Sequence, residues 1–113
     1  MLYFYNMSRA ERDESVFKAL ADARRRKMLD LLRDHPRSTK DLCDRFPELD
    51  RCTVMQHLRV LEESGLVIVR REGRVRWNHL NAVPIKRIFD RWIGKYAAHA
   101  VTVLDQIGRA VAE

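Results

Sequence analysis

Seven side chains within nine positions, Arg51, Cys52, Thr53, Met55, Gln56, His57 and Arg59, bring together groups that can read the edges of nucleic-acid bases. A glutamine can bond bidentately to adenine, an arginine to guanine, and a threonine methyl can touch the methyl of thymine. Val54, Leu58 and Leu61 interleave with them at helical spacing, so one stripe of this helix is apolar while the polar set is left outside. Met55 and Cys52 share that outer surface. Further along, Leu66 to Asn81 holds four arginines (Arg70, Arg71, Arg74, Arg76) against Glu72, which places +3 of the chain's net +6 in one short segment. Arg74 and Arg76 are placed to lie along phosphates or enter a minor groove. Each residue taken singly is equally a solvated surface side chain, and it is their order along the chain that carries the reading.

Other chemistries find less support. A basic balance suits a polyanionic partner but does not by itself separate DNA from RNA, a membrane surface or an acidic protein. No Ser-His-Asp order, phosphate-cradling glycine loop or paired carboxylate points to catalysis, and Glu62-Glu63 reads as a solvated helix face. The chain is expected not to be an enzyme and to need no cofactor. Two cysteines, Cys43 and Cys52, do not make a disulfide framework, and the four histidines lack finger or ribbon spacing. No apolar run approaches the ~20 residues that cross a bilayer, so no membrane partner and a cytoplasmic location are expected.

The elements that position these residues follow from caps and breakers. At 113 residues the chain fits one domain, expected over 8–113, after a flexible tail over 1–7 in which Met7 is an alternative start. Ser8 to Leu20 reads as a helix with an acidic first turn and the apolar set Val16, Phe17, Ala19 and Leu20. Asp22 caps a second helix to His35 that buries Met28, Leu29, Leu31 and Leu32 and carries a solvated basic run from Arg24 to Lys27. Ser38, with Asp41 completing a weakened capping box, starts a third helix through Phe46, and Pro47 ends it. Asp50 caps the helix of the base-reading residues, which Gly65 stops. Leu66 to Arg71 and Val75 to Leu80 form a hairpin around Glu72-Gly73-Arg74, in which Leu66, Ile68, Val75, Trp77 and His79 offer partial period-two burial and the arginines concentrate at the tip. Pro84 opens a last helix with Ile85, Ile88, Phe89, Trp92, Tyr96, Val103, Leu104, Ile107 and Val111 at helical spacing, kinked near Gly94 or Ala97-Ala98. The fold class is therefore mainly α with a small β-hairpin, in the order four helices, hairpin, helix.

Three stretches carry a family resemblance: Phe17 to Leu32 (FKALADARRRKMLDLL), Thr53 to Val67 (TVMQHLRVLEESGLV) and Arg70 to Arg74 (RREGR). Together they resemble the ArsR/SmtB family of bacterial winged helix-turn-helix repressors, over most of the chain from Val16 to Trp92. The resemblance implies a homodimer paired through its first and last helices, a roughly palindromic operator in double-stranded DNA, a recognition helix over Asp50 to Ser64 and a wing around Gly73. The apolar sets of the terminal helices fit such pairing, so Val16, Phe17, Leu20, Ile88, Phe89, Trp92, Tyr96 and Val103 are assigned to dimerisation. The aromatic stripe Phe89, Trp92 and Tyr96 could alternatively line a pocket for an organic ligand. The turn Phe46 to Asp50 is one residue longer than the family pattern and Met55 stands where a hydroxyl residue is common, so operator preference does not carry over.

Many members of that family release DNA on binding metal. Here Cys43 lacks a second cysteine two residues on, and Asp90-Arg91-Trp92 lacks the histidine of the last-helix site, so no metal is expected. Cys43 falls where such sequences place a small residue between crossing helices. Cys52 lies in the first turn of the recognition helix, where backbone N–H groups favour a thiolate. A thiol- or arsenic-responsive repressor using Cys52 and Cys43 therefore stays open, as do an unknown inducer and a winged-helix module that binds an acidic protein.

Overall fold

The computed structural model describes residues 6–112. Most of the expected flexible tail, residues 1–5, lies outside the described residues; Met7 is half-buried and its carbonyl accepts a bond from Arg12 at 3.1 Å. The elements are α1 (Arg9–Leu20), α2 (Ala23–Asp34), β1 (Arg37–Ser38), α3 (Thr39–Asp44), α4 (Arg51–Glu63), β2 (Val67–Glu72), β3 (Val75–Leu80), α5 (Val83–Ile88), a π-helical turn (Phe89–Ile93) and α6 (Gly94–Ala112).

Side-chain caps set the helix starts. Ser8 accepts from the Glu11 amide, Asp22 from those of Arg24 and Arg25, Ser38 from Asp41 and Asp50 from Thr53, each satisfying donors that the helix itself cannot. At the end of α4, Gly65 takes φ +80° while Leu66 N–H bonds Leu61 C=O and Gly65 N–H bonds Glu62 C=O, the two bonds of a Schellman stop. The hairpin closes on Gly73 (φ +60°) and Arg74 between the paired residues Glu72 and Val75, a two-residue turn with glycine first.

The core is continuous across these elements: Val16 and Ala19 of α1, Met28, Leu29 and Leu32 of α2, Leu42, Phe46, the α4 stripe Val54, Leu58 and Leu61, then Leu66, Val67 and Ile88. Lys27 extends its ammonium over the Phe46 ring, 5.0 Å from its centre. The basic run of α2 is only partly solvated. Arg25 donates to the carbonyls of Ala19 (2.8 Å) and Lys18 (3.0 Å), and Arg26 to that of Leu20 (2.6 Å), so two of its arginines satisfy the open end of α1.

Three further features differ from the sequence reading. The sheet has three strands in the order β1-β3-β2, because Arg37 and Ser38 pair with Asn78 and Trp77. Leu66 is fully buried as expected, but within the strands the core-facing side is the one opposite Ile68, Val75, Trp77 and His79. Val67 pairs with Leu80 and Val69 with Asn78; Val67 and Asn78 are fully buried and the half-buried Val69 and Leu80 pack against the core, whereas Val75 is exposed and the half-buried Ile68, Trp77 and His79 lie on the other side. Asn78 decides this, since it is fully buried and its amide donates to the Arg37 carbonyl (3.2 Å) and the Thr39 hydroxyl (3.1 Å). Lastly, the Asp41 carboxylate accepts from Arg37 and Arg45, both at 3.1 Å, instead of completing a capping box. Arg37 holds it below the usual carboxylate range, with Arg45 adding to the effect against a desolvation that raises it.

The last helix opens into a π turn immediately before Gly94. Gly94 N–H bonds the Phe89 carbonyl five residues back, and a Cβ at Gly94 would stand 3.0 Å from that oxygen, so glycine permits the wide turn. Beyond it, α6 projects as 19 residues with none buried, giving extents of 64 × 34 × 21 Å. Asn78→Ala removes both bonds to the β1–α3 junction, and chemical denaturation is expected to show a loss of about 1–3 kcal/mol; an unchanged midpoint would remove Asn78 from that role.

Candidate nucleic-acid interface

The apolar stripe of α4 fixes which residues face outward. With Val54, Leu58 and Leu61 fully buried, Cys52, Gln56 and Arg59 occupy the exposed side, and Arg51 and Met55 lie on the flank next to the hairpin. Thr53 is half-buried beside its cap, Asp50, whose carboxylate is held below its ordinary value chiefly by the bond from the Thr53 amide.

Arg51 and Met55 meet the wing across a groove of about 380 Å³. Its other walls are Ser38, Thr39 and Lys40 from the start of α3, and Arg71, Arg74, Val75 and Arg76 from the hairpin. Five cationic side chains thus line one groove with no acidic residue among its walls. Lys40 and Arg71 were not among the residues assigned from sequence. The signal for Arg71 was present, because Arg71 pairs with Arg76 across the hairpin and a cross-strand pair shares one face. Lys40 gave none, since its proximity depends on the unforeseen β1 pairing.

Two of the expected contact residues have other duties. Arg76 donates to Glu62 at 2.8 Å, and its side chain is 21% exposed, so this cation ties the wing to α4 and Glu62 is not a free solvated charge. His57 turns away from the groove flank toward α2. Its Nδ1 lies 3.3 Å from a guanidinium nitrogen of Arg25, and its Nε2 is buried without a partner. This geometry makes His57 a packing residue instead of one of the outward base-reading set in which the sequence placed it. Desolvation lowers its pKa, with Arg25 and Arg24 pushing the same way and Asp22 opposing.

The dimerisation residues divide as well. Val16 and Ile88 are 2% and 1% exposed and belong to the protomer's own core, correcting their assignment to a surface between chains. Phe17 and Leu20 are half-buried, while Phe89, Trp92, Tyr96 and Val103 are exposed. Trp92 stacks edge-on against Phe17 at 5.8 Å and lies 5.0 Å from Tyr96 between ring centres. Cys43 is half-buried and Cys52 exposed, both as free thiols. Among the described residues no three His, Cys, Asp or Glu side chains converge as a metal site, and no helix is long and apolar enough to cross a membrane.

A capped helix presented beside a basic hairpin is what a winged helix-turn-helix requires, and the comparisons agree. A helix-turn-helix domain family matches residues 20–70. The uncharacterised HTH-type transcriptional regulator YuzN of Bacillus subtilis is 34% identical over 71% of this chain and 94% of its own length. The transcriptional repressor SdpR of the same organism is 29% identical over 64% of this chain and 79% of its own. A crystal structure of an ArsR family transcriptional regulator superposes with a TM-score of 0.71 at 27% identity, covering 80% of this chain and 92% of that one. The chain belongs to the ArsR family of winged helix-turn-helix regulators. As an ArsR-family protein it is a DNA-binding transcriptional regulator and not an enzyme.

In this ArsR-family chain, the lowered pKa of His57 links the stability of the fold to pH. Its folded pKa is depressed, so its contribution to stability is complete above the unfolded value of about 6.5 and is lost as pH falls toward the folded value. Between pH 7 and pH 5 the wild type is therefore expected to lose more stability than His57→Gln, measured by urea denaturation at each pH. Parallel losses in the two proteins would exclude His57 as the titrating group.

Proposed function

We propose that this regulator is a homodimeric repressor that binds a palindromic operator. In this reading Gln56, Arg59, Arg51 and Thr53 approach the major groove, Cys52 and Met55 share their surface, and Arg74 with Lys40 and Arg71 contacts phosphate. The observation that carries it is the basic groove in which the flank of α4 and the wing come together. A duplex carries one negative charge per ~1.7 Å of axis, so such a groove is matched to its backbone, while the exposed Gln56 and Arg59 supply the groups that distinguish bases.

Dimerisation is supported by α6. Tyr96, Val103, Leu104, Ile107 and Val111 recur along one face, and Ile107 and Val111 are 54% and 81% exposed, an arrangement that leaves much apolar surface in water on a single chain. Two copies joined about a two-fold axis present two recognition helices, and a palindrome is the DNA counterpart of that symmetry. Repression is the sign that SdpR suggests.

Selection of a random duplex library with the purified protein at physiological salt tests the whole reading. An inverted repeat should be enriched; retention without sequence preference would instead favour architectural binding, or a basic hairpin meant for an acidic protein. On the selected site, Gln56→Ala is expected to relax preference at one or two base pairs, costing about 1–3 kcal/mol there. Arg74→Ala should weaken all sequences alike and reduce the salt slope by about one. The opposite pattern would exchange their roles. Ile107→Glu is expected to shift the sedimenting species from dimer to monomer with helicity retained, and a persisting dimer would place the contact elsewhere. A reporter placed behind the selected site should fall when the protein is expressed, whereas a rise would make it an activator.

A further inference from the structure

A second concentration of arginines lies apart from the DNA-facing groove. Arg9, Arg12 and Asp13 of α1 face Arg87 at the end of α5 and Arg91 in the π turn across a cleft of about 260 Å³, floored by the buried Val16 and Pro84. It shares no residue with the basic groove beside α4. Four guanidinium groups thus surround one carboxylate, an excess of three positive charges.

The four are not equivalent. Arg91 donates through two nitrogens to the two carboxylate oxygens of Asp13, a fork that ties the π turn to α1. Arg12 spends one donor on the Met7 carbonyl. Arg9 and Arg87 form no ion pair or side-chain hydrogen bond among the described residues, although each sits within a cleft of like charges. Every guanidinium carries five N–H donors, so most of this donor capacity is unused. Like charges held around a concave apolar floor raise the potential inside it, and the species that relieves this is an anion. The volume is below that of pockets for drug-sized ligands and suits a compact one.

We infer that the α1–α5 cleft binds a small oxyanion with two negative charges, of the phosphate or short dicarboxylate class, held mainly by Arg9 and Arg87 with Arg12 beside them. Asp13 keeps Arg91 oriented and leaves the remaining cations for the ligand. The inference is independent of the operator-binding reading, since it uses none of the same residues.

The test is calorimetric titration of the full chain with inorganic phosphate and, separately, succinate, at an ionic strength fixed with chloride. One saturable site per chain is expected for at least one of the two, and which one saturates separates the phosphoryl from the dicarboxylate source. In the double variant Arg9→Gln/Arg87→Gln affinity should fall at least tenfold, while Arg74→Ala in the DNA-facing groove should leave it unchanged. Both cleft arginines are exposed and unpaired among the described residues, so folding should survive; should the double variant lose helicity, Arg87→Gln alone carries the comparison. The inference is overturned if neither anion saturates, if the cleft variants bind as the wild type does, or if Arg74→Ala abolishes binding. It is also overturned if the double variant dissociates the dimer and the wild type binds neither anion, which would give the cleft to carboxylates of a second copy.

Discussion

The recognition helix has to be held firmly by a protein that leaves its outer side uncommitted. Val54, Leu58 and Leu61 bury one stripe of α4 completely, which fixes its rotation about its own axis. Two polar contacts then fix its flanks, the Arg76–Glu62 pair on the wing side and the Arg25–His57 contact on the α2 side. Neither is a fully exposed surface pair, so each operates with less screening than a solvated one. With both flanks anchored, Gln56 and Arg59 remain free of structural duty and available to a partner. The wing is placed by the same logic, because Arg76, one pair in from the turn, ties the hairpin to Glu62 of α4 while Arg74 stays exposed at the turn.

Sequence alone resolved what local chemistry decides. Ser8, Asp22, Ser38 and Asp50 announced helix starts because a capping oxygen needs only the next turn, and Gly65 and Gly73 marked positions where φ must be positive. It failed where the partner was distant in the chain. The buried face of the hairpin was misassigned because alternation assigned Val75, Trp77 and His79 to one side, whereas Asn78, polar and unpromising by hydropathy, is the side chain drawn inward by bonds to Arg37 and Thr39 some forty positions earlier. The same two-residue strand brought Lys40 to the groove. Arg25 and His57 were each assigned to solvent or DNA, yet the Arg25 guanidinium meets His57 Nδ1 across 32 positions and also bonds the carbonyl end of α1.

Val16 and Ile88 show a different limit of pattern reading. An amphipathic helix announces which residues want burial but not whether a protomer or its neighbour buries them. In α1 and α5 the protomer does so itself, and from the π turn onward the apolar stripe is mostly exposed. The π turn therefore divides the chain's last third: residues before it close the core, and from Phe89 within it to Val111 the large apolar side chains are mostly exposed, with Ile93 still packed against the core. Phe17 and Trp92 bridge the two regions through their edge-on contact.

α1 stands between the two arginine-lined features. Its carbonyl end is satisfied by Arg25, which touches His57 on the recognition helix, and its opposite end supplies Arg9, Arg12 and Asp13 to the cleft. This contiguity does not by itself make an anion an effector, because a ligand shifts an equilibrium only by its differential affinity for the states involved. Such a difference has a physical source here. The cleft spans α1 and the segment that sets the course of α6, so bridging it favours one spacing of those elements over others. If two copies pair through α6, that spacing also helps set the distance between their recognition helices, which must match one turn of the duplex. An anion indifferent to the spacing would bind the cleft and leave operator affinity unchanged; one that selects a spacing would alter both, and by reciprocity operator DNA would alter its affinity by the same factor.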